Sequence, residues 1–183
     1  MKKWCRWIVG LGTVAALAAC APAARGTAER LRISARDAER EAHTVAASWQ
    51  RDATLRYLEG EGVAADGYVQ RERGFWRLVY QAPGRADQLA VTVTPVKLEQ
   101  VTRPAQSPPG IVLGDAQLAA WVDSPQVMDS VKAAGAATLL AGGDAALSLL
   151  LVPLRPPQWT VRLARGSESR EWQVNAVTGA GIP

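Results

Sequence analysis

The chain runs through the same pattern twice, and this repetition limits the folds open to it. A capped helical segment is followed, in each pass, by segments that alternate apolar and polar residues. In the first pass, Ser34-Ala35-Arg36-Asp37 has the form of a capping signal, a hydroxyl acceptor with an acid three residues later. Ala38, Ala42, Val45 and Trp49 follow at helical spacing and predict a helix over 35–50. This stripe is narrow and alanine-rich, so the helix can lie close to a sheet but needs packing to stabilise it. The period then changes to two. Leu55 and Tyr57, then Trp76, Leu78 and Tyr80, then Leu89, Val91 and Val93 predict three strands, divided by turn-rich segments at 60–67 and 83–87. Pro95 interrupts the third run and shifts the apolar parity to Val96 and Leu98, which reads as an edge or bulged strand.

The second pass repeats the plan. Ser124 followed by Pro125 predicts a helix start, since the hydroxyl caps free N–H groups and proline at the first helical position has none to satisfy. Val127, Met128, Val131 and Ala134 form one face, and Gly135 is placed to end the helix in a left-handed conformation. Strands are expected at 147–152, 159–163 and 172–177, with a turn at 165–169. Trp76 and Trp159 stand 83 positions apart, and Ser34 and Ser124 stand 90 apart. The expected class is therefore α+β, two tandem units of a helix plus a three-stranded antiparallel sheet, at 34–102 and 115–183, joined by a Pro-rich linker at 103–114. The long apolar stretch 133–152 is broken by Gly135, Gly142, Gly143 and Asp144, so it reads as helix end, loop and buried strand, not as a membrane span.

Ahead of both passes, Lys2, Lys3 and Arg6 form a positive segment, residues 7–16 an apolar run too short to span a bilayer, and Leu17-Ala18-Ala19-Cys20 a stretch of small residues before a cysteine. This segment resembles the signal and lipobox of bacterial lipoproteins. The resemblance implies a signal peptide at 1–19, cleavage before Cys20, and a lipidated tether at 20–33. Cys20 would carry a diacylglycerol thioether and an acylated amine, about three chains in all, enough for permanent attachment. Ala21 behind the cysteine implies, by analogy with Gram-negative sorting, the periplasmic face of the outer membrane. The competing reading is an ordinary secretory signal cleaved within Ala18-Ala19-Cys20-Ala21. Removing the signal also takes three of the 21 basic residues, leaving 18 against 17 acidic ones, so charge gives no argument for a nucleic-acid partner. Cys5 would leave with the signal and Cys20 would be consumed by lipid. No thiol would then remain for a disulfide, a metal or a nucleophile.

The second half carries a further resemblance. Asp123-Ser124-Pro125, Trp159-Thr160-Val161 and the run from Trp172-Gln173-Val174-Asn175 to Ala176-Val177-Thr178-Gly179 are similar to PepSY-like domains, extracytoplasmic modules of a helix and a three-stranded antiparallel sheet ending in a Thr-Gly turn. Asn175 stands where that family often has Asp, and Ala180 where an acid commonly follows the turn. The first half keeps the order of elements without the terminal motif. The resemblance implies a non-enzymatic binding or inhibitory module, a role proposed for PepSY domains in regulating peptidases.

Little in the sequence points to catalysis. His43 is the only histidine, at the border of the apolar helix face, and reads as structural or surface-exposed. No phosphate loop and no metal-ligand spacing occurs, so neither cofactor nor metal is expected, and nothing selects one carboxylate pair for a hydrolase. Arg32, Arg36 and Arg40 make a basic stripe, read either as a solvated helix face or as a contact with anionic lipid. Trp121, just before the second helix, either staples the chain to that helix or lines an exposed groove that receives a peptide, which makes it the candidate binding residue. The expected function is a non-catalytic protein- or peptide-binding lipoprotein whose partners are membrane lipid, through acylated Cys20, and a periplasmic protein or peptide, bound by strand addition at an open sheet edge such as the one near Pro95 or in the cleft between the halves. Alternatives are a structural or assembly lipoprotein of the envelope and, last, a carboxylate-dependent hydrolase.

Overall fold

The computed structural model describes residues 31–71, 73–108, 118, 120–141, 143 and 145–182. Cys20, the signal and most of the tether lie outside the described residues, as do residues 109–114 of the expected linker. A two-residue strand β1 (Arg32–Ile33) leads into α1 (Ala35–Trp49), capped at Ser34, whose Oγ accepts the N–H of Asp37 at 3.2 Å. The residues of α1 that are fully buried are Ala35, Ala38, Ala42 and Ala46. Methyl groups alone separate this helix from the sheet, while Val45 and Trp49 sit at its half-buried margin.

The chain continues through β2 (Thr54–Glu61), β3 (Val69–Gln70), β4 (Phe75–Gln81), β5 (Asp87–Val93) and β6 (Leu98–Pro104). Then come α2 (Ser124–Val131), a kinked segment (Lys132–Ala136), α3 (Ala137–Leu140), β7 (Ala146–Val152), β8 (Gln158–Arg165), β9 (Glu168–Asn175) and β10 (Gly181–Ile182). β1 pairs with β3, and the other eight strands form one antiparallel sheet in the order β10-β9-β8-β7-β2-β4-β5-β6.

The class is α+β, but the two halves do not carry separate sheets. β2 pairs directly with β7, Leu58 opposite Leu151 and Gly60 opposite Leu149, so each half supplies four neighbouring strands of a single sheet. The fourth strand of the first half is the one that the sequence obscures. Thr94–Lys97 is a turn, and Leu98–Pro104 is a new strand, not the bulged end of the third; Arg103 and Pro104 belong to it and not to the linker. The register irregularity lies instead in β2, between Leu55 and Tyr57.

A local two-fold relation between the halves is written in the tryptophans. Trp76 faces Gly60 on one side and Val93 on the other; Trp159 faces Leu151 and Val174 in the matching places. Both are 0% exposed. Each indole Nε1 donates at 3.1 Å to the carbonyl just before a helix cap, Trp76 to Ile33 and Trp159 to Val122. Gly60 makes room for the first of them, because a Cβ there would lie 2.2 Å from Cζ3 of Trp76. Gly67 has φ of +85° and a Cβ there would lie 2.6 Å from the Pro125 backbone, so the β2–β3 segment can rest on the start of α2 only with glycine at this point.

Of the expectations about the second helix, the cap is corrected and the left-handed glycine is found. Its cap is Asp123, not Ser124: the Asp123 carboxylate accepts the Ser124 N–H at 2.7 Å, placing Ser124 and Pro125 inside the first turn. Gly135 does leave the helical region as expected, with φ of 98°, and breaks the helix at a kink beyond which the chain turns helical again as α3; Ala136 rather than Ala134 is buried. The strands follow the alternation closely. Leu147, Leu149 and Leu151, Trp159, Val161 and Leu163, and Leu89, Val91 and Val93 all face the helices. The opposite face holds a smaller cluster of Tyr57, Val79, Ala90 and Val152, over which the chain leaving β6 passes; Gln88 Nε2 donates to the Gln106 carbonyl at 2.8 Å.

Tyr80 lies in the core at 0% exposure and its hydroxyl has no hydrogen-bond partner. Burial first, and the Glu39 charge second, push its pKa up, so the group stays neutral at ordinary pH. An unpaired buried hydroxyl costs about 1–3 kcal/mol. Tyr80→Phe is accordingly expected to raise stability by about 1 kcal/mol, seen as a higher urea midpoint at unchanged slope; a lower midpoint would show that the hydroxyl has a partner.

Candidate functional site

Of the described residues singled out from sequence, Arg36 and Trp121 come together while His43 stands apart. His43 is exposed on α1, its Nδ1 4.0 Å from a Glu39 carboxylate oxygen. Among the described residues no three His, Cys, Asp or Glu side chains gather as metal ligands would, and no helix is long and apolar enough to cross a membrane. The arginine stripe is bound into its surroundings: Arg32 pairs with Asp66 at 3.2 Å and covers Tyr68, and Arg40 pairs with Asp37 at 3.1 Å.

Trp121 does not line an exposed groove. It is 6% exposed, its ring 3.7 Å from the Arg36 guanidinium carbon and edge-on to Trp159 at 5.7 Å. Arg36 also donates to the Trp121 carbonyl. The reason is the junction between the halves. The first turn of α1 bonds to the cap of α2, Ala35 N–H donating to Ser124 Oγ at 3.0 Å and Arg36 N–H to Asp123 Oδ1 at 2.9 Å. With the helix starts joined above and β2 paired to β7 below, no cleft separates the halves there.

The open surface lies at the far margin of the first half. α1 packs over β4 and β5, and β6 extends beyond it. Along this margin runs a groove of about 610 Å³, walled by Val45, Ser48 and Trp49 of α1 and floored by Leu89, Leu98 and Thr102. Leu98 is 37% exposed, and on the same margin Val96 is 54% and Val101 57% exposed.

The backbone of β6 completes the site. Thr94 N–H donates to the Lys97 carbonyl at 2.9 Å and Ala105 N–H to the Ala86 carbonyl at 3.2 Å. These are bonded rungs of the β5–β6 ladder, and in an antiparallel pair bonded and non-bonded rungs alternate. Glu99, Val101 and Arg103 therefore direct their main-chain groups to β5, while Leu98, Gln100 and Thr102 direct theirs outward. On the open face, Arg103 Nη2 donates to the Tyr57 hydroxyl at 3.0 Å, and its Nε is buried without a partner. Burial pushes the Tyr57 pKa up, opposed by the Arg103 charge.

At the opposite margin, the matching groove between α2 and β9 is smaller, about 300 Å³, and β10 pairs along part of the edge, at Gln173 and Val174. Asn175 holds the intervening turn, its Oδ1 accepting the N–H groups of Val177 and Thr178 at 2.9 and 3.1 Å. The open edge lies close to Pro95, where the sequence places one; what sequence reading misses is that the edge belongs to a separate fourth strand, Leu98–Pro104, since its residues carry no apolar alternation.

This fold has a solved counterpart. The crystal structure of a putative lipoprotein from Clostridium difficile 630 superposes with a TM-score of 0.54, over 86% of this chain and 95% of that one, at 11% identity. The likeness at that identity is one of fold. No protein-family model matches the chain, and no curated protein does.

Proposed function

We propose that this chain is an envelope lipoprotein, anchored through an acylated Cys20, that acts without catalysis by adding a strand of a partner protein to the free edge of β6. The observation that carries the reading is a seven-residue edge strand with outward-facing N–H and C=O groups beside an apolar groove, both uncovered among the described residues. Strand addition uses these parts: main-chain bonds give affinity and pockets for alternate side chains give selectivity. The anchored part of the reading is supported by the Leu17-Ala18-Ala19-Cys20 segment and by the description of the fold's counterpart as a lipoprotein. The periplasmic face of the outer membrane is its proposed place, and PepSY-like modules are the proposed character of the two helix-and-sheet halves.

Cys20→Ser is expected to abolish incorporation of radiolabelled palmitate and release the protein from membranes. Labelling of the variant at the wild-type level would remove the anchor. Gln100→Pro tests the edge, since it deletes an outward N–H without touching the bonds to β5. It is expected to leave the fold intact by circular dichroism and fail to complement a deletion strain, whereas full complementation would count against strand addition.

A further inference from the structure

We infer that the strand taken up by β6 is β6 of a second copy, running antiparallel, with Val101 facing Val101 across a two-fold axis. The inference rests on the reading of β6 as a binding edge and names its occupant. Because only Leu98, Gln100 and Thr102 direct N–H and C=O outward, two copies can pair only in registers that set these residues against each other, so alternative registers differ by steps of two. With Val101 on the axis, Gln100 bonds to Thr102 of the second copy in both directions. Glu99 then stands opposite Arg103 on each side of the axis, in non-hydrogen-bonded rungs, where side chains are closest.

Slipping by one step to put Gln100 opposite Gln100 sets Lys97 against Arg103, two like charges, and leaves Glu99 opposite Val101. The self-complementary register is thus selected by charge. It also supplies what the free chain lacks. Val101, 57% exposed, gains an apolar neighbour, and a carboxylate comes opposite the Arg103 guanidinium, whose buried Nε has no acceptor. Glu99 otherwise pairs only locally in the described ion pairs, with Lys97 at 2.8 Å on its own strand.

The geometry suits two anchored copies. An axis normal to the sheet keeps the helix layers of both copies on one side, and with them the starts of both described chains beside Trp76 and α1. Two tethers on the same side can enter one bilayer. Confinement there raises the effective concentration of a short edge contact that would be weak in solution.

Cysteine crosslinking of the full-length chain in its own membranes, with the unsubstituted chain as control, tests this. A non-hydrogen-bonded rung brings Cα atoms to about 4.5 Å, within the reach of a disulfide. Val101→Cys is expected to give a product of twice the chain mass on mild oxidation. Gln100→Cys, which would face Thr102 instead, is expected to give at least tenfold less. Adding Glu99→Arg or Arg103→Glu singly to Val101→Cys should reduce the product at least tenfold, because each sets like charges opposite each other. Co-expressing the two single reversals, or placing both on one chain, should restore it. Indifference of the Val101→Cys yield to the single reversals would overturn the register. With a photoreactive side chain at position 101, adducts to a different protein alone would overturn the second copy while leaving strand addition in place. Absence of any adduct, together with complementation by Gln100→Pro, would overturn both.

Discussion

Trp76→Ala is expected to destabilise the fold by about 3–5 kcal/mol, the range for truncating a fully buried tryptophan. The indole is 0% exposed, lies against Gly60, which offers no side chain to fill the space, and holds the Ile33 carbonyl at the start of α1. Truncation leaves a cavity between helix and sheet and an unpaired carbonyl together. Trp76→Phe restores most of the volume but not the donor, so it should recover more than half of the loss. Trp159→Ala should match Trp76→Ala within about 1 kcal/mol, since its indole repeats the same bond to Val122. Urea denaturation followed by circular dichroism measures all three, and a loss below about 1.5 kcal/mol for Trp76→Ala would mean that this ring is not the core element described.

The second large effect is expected at Asp123. Its carboxylate accepts the N–H of Ser124, the N–H of Arg36 and the Ser124 hydroxyl, and so serves the first turns of two helices from opposite halves of the chain. Helix N-termini carry partial positive charge, and two of them meet here. An ordinary cap is worth roughly 1 kcal/mol, and leaving part-buried donors unpaired adds to it. Asp123→Ala should therefore cost about 2–4 kcal/mol, and Asp123→Asn, which keeps an acceptor oxygen, less than half of that. Equal losses for the two variants would show that the charge, and not the acceptor, is what the junction needs.

Local chemistry was legible in the sequence wherever one segment carries it alone. The bounds of α1, the Ser34 cap, the alternation of Trp76, Leu78 and Tyr80, and the core placement of Trp159 follow from periodicity, which assigns a residue to a face. Periodicity says nothing about which strand lies next to which. The pairing of β2 with β7 was invisible for that reason, and two sheets were expected where one exists. The same limit hid the role of Asp123: the cap was assigned to Ser124 because its best-known partners are close in sequence, whereas Arg36 is 87 positions away. Trp121 was ambiguous because an aromatic before a helix suits a staple and a groove alike, and the Arg36 ring contact that decides its placement is equally remote. The edge near Pro95 was legible, but that a separate strand forms it was not. A proline at the end of an alternating run reads as an interruption of that strand, although here it sits in the turn between two strands.

The way in which the sheet is assembled also bears on how it forms. β4, β5 and β6 are joined by short hairpins, as are β7, β8 and β9, so each half can zip up over small sequence distances, which is fast. β2 and β7 are expected to meet last, because closing them joins Leu58 to Leu151 across the whole intervening chain. Until then the first half is a four-stranded sheet with two bare margins, β2 as well as β6. During that interval β2 is a sticky surface for the wrong strand, and the speed with which the second half arrives to cover it governs how much of the chain is lost to misassembly.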